Sequence, residues 1–362
     1  MRVFVVAWAS IAATAAIAHA ATQAPSPPKP PILELPIACG DDDIPCLVQN
    51  FVDADAGARA QDAACGAATY DGHKGVDFRL PSLAAADHGV AALAAAPGVV
   101  LRARMGEPDR RFVDGEPAFG GEKPCGNGIV IDHGGGWMTQ YCHLRRGGVM
   151  TAPGARVSAG DMIGLVGSSG DAAFAHLHFS VRFNGDVIDP FDWRKDNRTC
   201  RPARGASPLA LMRGVGLWSD MARDRLDRDA RAILAVGFAP AAVSTDTLER
   251  QDAASLAPTA KSAALVAFAR FMNLHAGDRI LITAKGPEGF SARHESEPLE
   301  RSKATFVAYA GKRRTGDAWP AGVYEAKASL LRGEEIVETK SARLVLPRVA
   351  TDARAASNRG DQ

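Results

Sequence analysis

Net charge of either sign is almost missing from this sequence. It carries 42 basic and 41 acidic residues, a formal +1, so no bulk field draws the chain to nucleic acid or to an anionic membrane surface. Partners must be selected by a site. After the N-terminal segment there is no second run approaching the ~20 apolar residues that a membrane span needs. Cys-x-x-Cys pairs are absent, and no cysteine follows Cys200; the six present are Cys39, Cys46, Cys65, Cys125, Cys142 and Cys200. That pattern speaks against a cysteine metal site and, with an even count, for disulfides formed in an oxidising compartment. Six cysteines pair in about 15 ways, and only Cys125 with Cys142 is singled out, because the two flank one hairpin-like stretch. No internal repeat is visible.

What is present begins with an export signal. Arg2 precedes an apolar run over residues 3–17, and Ala18-His19-Ala20 has the small-x-small pattern of a cleavage site, so residues 1–20 are expected to be a signal peptide. No cysteine follows that site to take a lipid. The mature chain is therefore expected to be exported, periplasmic or extracellular. Residues 21–37 are proline-rich and are expected to form an extended linker. With 46% hydrophobic and 23% charged residues over 362 positions, the remainder has the composition of about two globular domains.

Short β-type runs bounded by glycine fill residues 38–200, among them "GIVIDHGGGWMTQYCHL", two β-rich runs about a triple glycine. An all-β fold is predicted, with an antiparallel sheet here. Residues 201–260 are mixed, with "WSDMARDRLDRDARAILAV" readable as a helix. Strand patterns return over residues 261–348 and suggest a small β-sandwich resembling an immunoglobulin-like module. Residues 349–362 have the composition of a disordered tail. Since every cysteine precedes residue 201, a piece ending near there is expected to fold alone.

The stretch "FAHLHFSV" places His176 and His178 two residues apart. On a strand, residues two apart face the same side with Cα atoms about 7 Å apart, so both imidazoles look into one space. "HKGVD" adds His73 and Asp77, and zinc accepts imidazole nitrogen and carboxylate oxygen, commonly from three protein ligands when catalytic. His73, Asp77 and one of the later histidines supply that count. His143, in "TQYCHLRRG", is a fifth candidate. Two imidazoles are then left over, and hydrolysis has use for them in moving protons and stabilising an oxyanion. His133 is expected to be a turn residue, and His88, His275 and His294 have no partner spacing.

The ordered set "HKGVD", "GNGIVIDHGGGWMTQYCHL", "VSAGDMIGLVGSSG" and "HLHFSVR" resembles the lysostaphin-type zinc endopeptidases that cleave peptidoglycan peptides, over roughly residues 66–192. That resemblance implies Zn2+ held by His73, Asp77 and His178, with His143 and His176 as catalytic residues. It implies peptidoglycan peptides as substrate, and the absence of a glycine-bridge recognition module favours D-alanyl crosslinks. Two positions depart from the family's pattern: Ala175 stands where a proline is usual, and Ser180 where a glutamate is usual. The stretch over residues 101–125 is longer and more charged than the pattern requires, and is expected to form a loop over the cleft. The alternatives are a non-catalytic activator of other wall hydrolases, which substituted ligands would mark, and an exported protease acting on proteins. The C-terminal module shows no means of hydrolysis and is expected to bind the cell wall or a protein partner.

Overall fold

A computed structural model describes residues 29–40, 44–109, 123–193, 216–226 and 230–348. The signal peptide, Cys200, most of the 101–125 loop and the C-terminal tail fall outside these residues. The structure is mostly β, in antiparallel sheets, as the glycine-punctuated runs predict. Among the described residues no helix is long and apolar enough to cross a membrane.

The first sheet contains β1 (Leu47–Asn50), β2 (Val76–Arg79), β3 (Ala91–Leu93), β4 (Gly98–Arg104), β5 (Asn127–Gly134), β6 (Trp137–Val149), β7 (Arg156–Val157), β8 (Met162–Val166), β9 (His176–Phe183) and β10 (Asp186–Ile188). Its main path runs β1-β2-β9-β6-β5-β4-β7. The alternation in β9 decides which face is buried: Leu177, Phe179 and Val181 join Val76, Phe78, Ile129, Ile131 and Tyr141 in one core. His176, His178 and Ser180 therefore look the other way. β5 and β6 form the expected hairpin, whose Gly134, Gly135 and Gly136 all take positive φ, a conformation open to glycine at little cost. Cys125 is bonded to Cys142, and Cys39 to Cys46.

That core reaches beyond its own sheet. Leu33 is fully buried in it, and its backbone pairs with Leu217 and Ser219. Folded structure thus begins inside the stretch expected to be linker, because its Leu33, Leu35 and Ile37 are apolar enough to repay ordering. Trp218 packs on Phe78, Phe179 and Phe191, with ring centroids 6.0, 5.9 and 5.4 Å away. Ala222 and Leu226, from the helix Asp220–Leu226, complete this side. Of the helix predicted over residues 218–236, Asp220–Leu226 is helical, while residues 232–236 belong to the strand Ala232–Ala239, since a short apolar run reads equally well as buried helix or buried strand.

The second unit has two antiparallel sheets. Strands β11 (Ala232–Ala239), β12 (Ala264–Leu274) and β15 (Lys303–Arg313) form one, and β13 (Asp278–Lys285), β14 (Ser291–Glu295), β16 (Gly322–Arg332) and β17 (Glu335–Leu346) the other. Period-2 alternation turns Ile280, Ile282, Tyr324, Ala326, Ala328 and Leu330 inward against Phe238, Leu265, Ala267 and Phe271. A short helix, Thr245–Arg250, capped by the Ser244 side chain, lies between β11 and β12.

Buried contacts join the two units. Leu47 packs with Ala232, Leu234 and Met272. The Gln49 amide donates to Asn273 Oδ1 at 3.0 Å, and Asn273 Nδ2 donates back to the Gln49 carbonyl at 2.9 Å. The Glu249 carboxylate accepts from both Arg79 and Arg270, all three side chains being almost wholly buried. These contacts bear on where the chain can be cut. A piece ending at residue 200 lacks Trp218, whose loss from a core costs about 3–5 kcal/mol for the side chain alone. Such a piece is expected to melt well below one ending at residue 226; equal melting temperatures by circular dichroism would contradict the packing described.

Candidate metal centre

Three side chains meet on the open face of the first sheet. Strand β2 lies between β1 and β9, with Asp77 opposite Asn50 on one side and His178 on the other. His73 precedes β2 by one turn. Its Nε2 lies 3.2 Å from Asp77 Oδ1 and 3.1 Å from His178 Nδ1, and His178 Nδ1 lies 2.9 Å from Asp77 Oδ1. Ligands about 2 Å from a shared tetrahedral ion stand about 3.3 Å apart, close to this triangle. Among the described residues this is the only such group of three metal-ligating side chains.

The far end of each side chain fixes what its near end offers. His73 Nδ1–H donates to the Phe51 carbonyl at 2.7 Å, which leaves Nε2 with its lone pair facing inward. The Ser180 hydroxyl donates its single proton to the Lys74 carbonyl at 2.7 Å, so it must accept from His178 Nε2–H at 3.0 Å. That leaves Nδ1 of His178 bare. Asp77 Oδ2 accepts from Asn50 Nδ2 at 2.7 Å, and Oδ1 is the oxygen turned toward the histidines. With this hydrogen bonding the three inward atoms can present their lone pairs to one point, an arrangement that a cation would satisfy. Burial pushes the Asp77 carboxyl up, but His176, His73 and His178 outweigh it and hold Asp77 well below the usual carboxylate range. His73 feels the reverse: burial lowers it, yet the charge of Asp77 and its hydrogen bond raise it overall. The donor set, two imidazole nitrogens and one carboxylate oxygen, fits a metal and suits zinc.

His176 and His143 flank this triangle. His176 pairs across the strands with Arg79, its Nε2 lies 3.5 Å from Asp77 Oδ1, and its Nδ1–H donates to the Phe174 carbonyl at 2.8 Å. His143 reaches the site by breaking the strand's alternation. Cys142 stands opposite His178 in the register, so regular pleating would turn His143 to the core face. Instead His143 takes φ 62°, a left-handed conformation uncommon outside glycine. β6 changes partner here, from β9 before it to β8 after it. The conformation is held by His143 N–H donating to the Cys125 carbonyl and Gly167 N–H to that of His143. Its Nδ1–H donates to Ser169 O at 2.7 Å, and its ring centroid lies 4.5 Å from that of His176. Burial holds His143 well below the ordinary imidazole value, reinforced by the His176 and His178 imidazoles. Burial likewise lowers His176, against the pull of Asp77. Both rings are thus kept neutral near pH 7, with Nε2 bare.

All five side chains singled out from the sequence come together. His133 does not join them: its ring bonds the Pro97 carbonyl and the Thr139 hydroxyl, as a turn residue's would. Asn50 and the Ser180 hydroxyl were not singled out as functional. The place of Ser180 two residues after His178, on the same strand face, was a local signal for it; Asn50 had none. Beside His73 opens a cleft of about 600 Å3 lined in part by Val52, Asp53, Lys74, Phe183, Val187 and Trp193.

Gly75 has a steric reason. A Cβ there would stand 2.6 Å from His178 Nε2 and 2.7 Å from the Phe179 carbonyl. Gly75→Ala is accordingly expected to displace the His178 ring and weaken metal binding by about 10-fold or more. Competitive chelator titration measures this, and unchanged affinity would show that the ring has room to give.

Residues 71–190 match the profile of Peptidase family M23. The DD-carboxypeptidase/endopeptidase Mpg of Neisseria meningitidis is 36% identical over 94 residues, 26% of this chain and 21% of that protein. The peptidoglycan DD-endopeptidase ShyA of Vibrio cholerae is 30% identical over 117 residues, covering 32% of this chain and 22% of its own length. The murein hydrolase activator EnvC of Escherichia coli is 31% identical over 97 residues, 26% of this chain and 23% of that one. The chain thus spans less than a quarter of the length of each of these relatives. The stretch that holds His73, Asp77, His143, His176 and His178 is a Peptidase family M23 domain, of the lysostaphin type that its ordered histidine motifs resemble.

Proposed function

We propose that the protein is an exported zinc-dependent endopeptidase that hydrolyses peptide crosslinks of peptidoglycan. The observation that carries this reading is the convergence of the three lone pairs of His73, Asp77 and His178 beside two neutral imidazoles. Zn2+ bound there would polarise the scissile carbonyl and bring the pKa of a water near neutrality. The protein's own part is proton movement and orientation. His143 and His176 each present a bare Nε2, the other nitrogen being tied to a backbone carbonyl. One takes the proton of the attacking water at Nε2 and, as imidazolium, returns it to the departing amine when the C–N bond breaks. The DD-endopeptidase names of Mpg and ShyA support D-alanyl crosslinks as the bond cut. The N-terminal signal pattern supports action outside the cytoplasmic membrane, where that polymer lies.

A second reading, a non-catalytic activator, is raised by the similarity to EnvC. Against it stands the full set of three ligands and two imidazoles in one place. The test is digestion of purified sacculi by the mature chain, with and without chelator, and mass spectrometry of the released fragments. New D-alanyl ends that disappear with chelator and return with zinc are expected. Release of glycine-ended fragments would move the specificity to glycine bridges, and no release without an added hydrolase would favour the activator.

A further inference from the structure

We infer that Glu249, a residue of the second unit, positions His176. Phe174 and Ala175, the two residues leading into β9, are both held. Phe174 lies under the Arg79 guanidinium, whose central carbon is 4.3 Å from the ring centroid. The Ala175 N–H donates to Glu249 Oε1 at 3.3 Å, and the Ala175 carbonyl accepts from Leu80 N–H at 2.9 Å. His176 then hangs on the Phe174 carbonyl through Nδ1, with the two rings 4.4 Å apart. Two of these restraints lead to one carboxylate, since Glu249 accepts from Arg79 as well as from Ala175. Arg79 is also the cross-strand neighbour of His176 in the β2–β9 register.

Glu249 is itself fixed from its own unit, where Arg270 on β12 donates to the same oxygen, Oε2, and to the Leu248 carbonyl at 3.0 Å. A carboxylate between two buried guanidiniums has little freedom, so the geometry it imposes is stiff. Ala175 fits this role. A proline there, as in the lysostaphin-type pattern, has no N–H to donate to Glu249. The second unit thus reaches the acid–base machinery through one side chain and sets the ring orientation on which proton transfer depends.

The inference rests on the role proposed for His176, and the test separates the two. In the full chain, Glu249→Gln, His176→Ala and the double variant are compared for kcat and KM on a crosslinked muropeptide, for zinc content, and for the 15N resonances of the His176 ring. Glu249→Gln is expected to lower kcat by about 10-fold or more, the scale of a misplaced catalytic group. KM and zinc should be unchanged, the ring resonances should move, and the double variant should be no slower than His176→Ala alone. A residue that only joins the units would lower the melting temperature while leaving kcat and the resonances where they were, which would overturn the inference. Should the wild-type chain turn over no muropeptide, the functional proposal fails, and the ring resonances alone decide this one. Should Glu249→Gln not fold, Ala175→Pro takes its place, because it leaves all three charges paired and removes only the N–H. A fall in kcat at unchanged KM, or moved resonances, supports the inference; neither change overturns it.

Discussion

Replacing His176 or His143 with alanine is expected to lower turnover by about 10²-fold or more, the usual scale of an acid–base contribution, and to leave zinc in place. Neither ring lies in the triangle of converging ligand atoms. His176 Nε2 is 3.5 Å from Asp77 Oδ1, and the His143 ring centroid is 5.9 Å from that of His178. Each has its Nδ1 proton committed to a carbonyl and is held neutral by burial, the state in which an imidazole can accept a proton near pH 7. The backbone at His143 argues in the same direction. A non-glycine residue held at φ 62° costs about 1–3 kcal/mol, and the ring reaches the site through that conformation. His143→Gly, which relieves the strain, should be more stable than His143→Ala, while both abolish most turnover. Steady-state kinetics with metal analysis checks the pair, and near-normal turnover in either alanine variant would remove that residue from the chemistry.

Asp77→Ala and His178→Ala are expected to lose both metal and activity. Asp77 is the hub of the site: one oxygen faces His73, His176 and His178, and the other is tied to Asn50. Without it two bare nitrogens remain, and the charge that balances a divalent cation is gone. His178→Ala removes a ligand and leaves the Ser180 hydroxyl bonded to the Lys74 carbonyl alone. Activity should be undetectable in both variants at zinc concentrations that saturate the wild type. Full zinc occupancy in either would reassign the ligands.

The part of this site that was legible in the sequence is the part set by local geometry. A strand repeats every two residues, so His176 and His178 had to share a face. The short loop from His73 to Asp77 had to keep those two close. His143 was legible as a candidate at the end of the hairpin, but its role came only from the family motif, because a regular strand would have sent its side chain to the other face. What the sequence concealed was fixed by register and by packing between units. Asn50 meets Asp77 because β1 pairs with β2 across 27 residues, and Glu249 meets Arg79 across 170. No composition or period reports such pairings. The all-β fold was visible from its glycine-bounded runs, whereas "AILAV", the start of β11, reads as the end of a helix because so short an apolar run carries no decisive period. Leu33 was hidden by its prolines: a proline-rich stretch reads as linker, but a few apolar side chains suffice to seat it in a core that has space for them.

The most direct measurement is X-ray absorption at the zinc edge on the purified full chain beside its Asp77→Ala variant. The wild type should hold about one zinc per chain, with only nitrogen and oxygen neighbours at about 2 Å, two of them showing the outer scattering of imidazole rings. The variant should hold none. A sulfur neighbour at about 2.3 Å, or zinc retained unchanged in Asp77→Ala, would contradict a centre built from His73, Asp77 and His178.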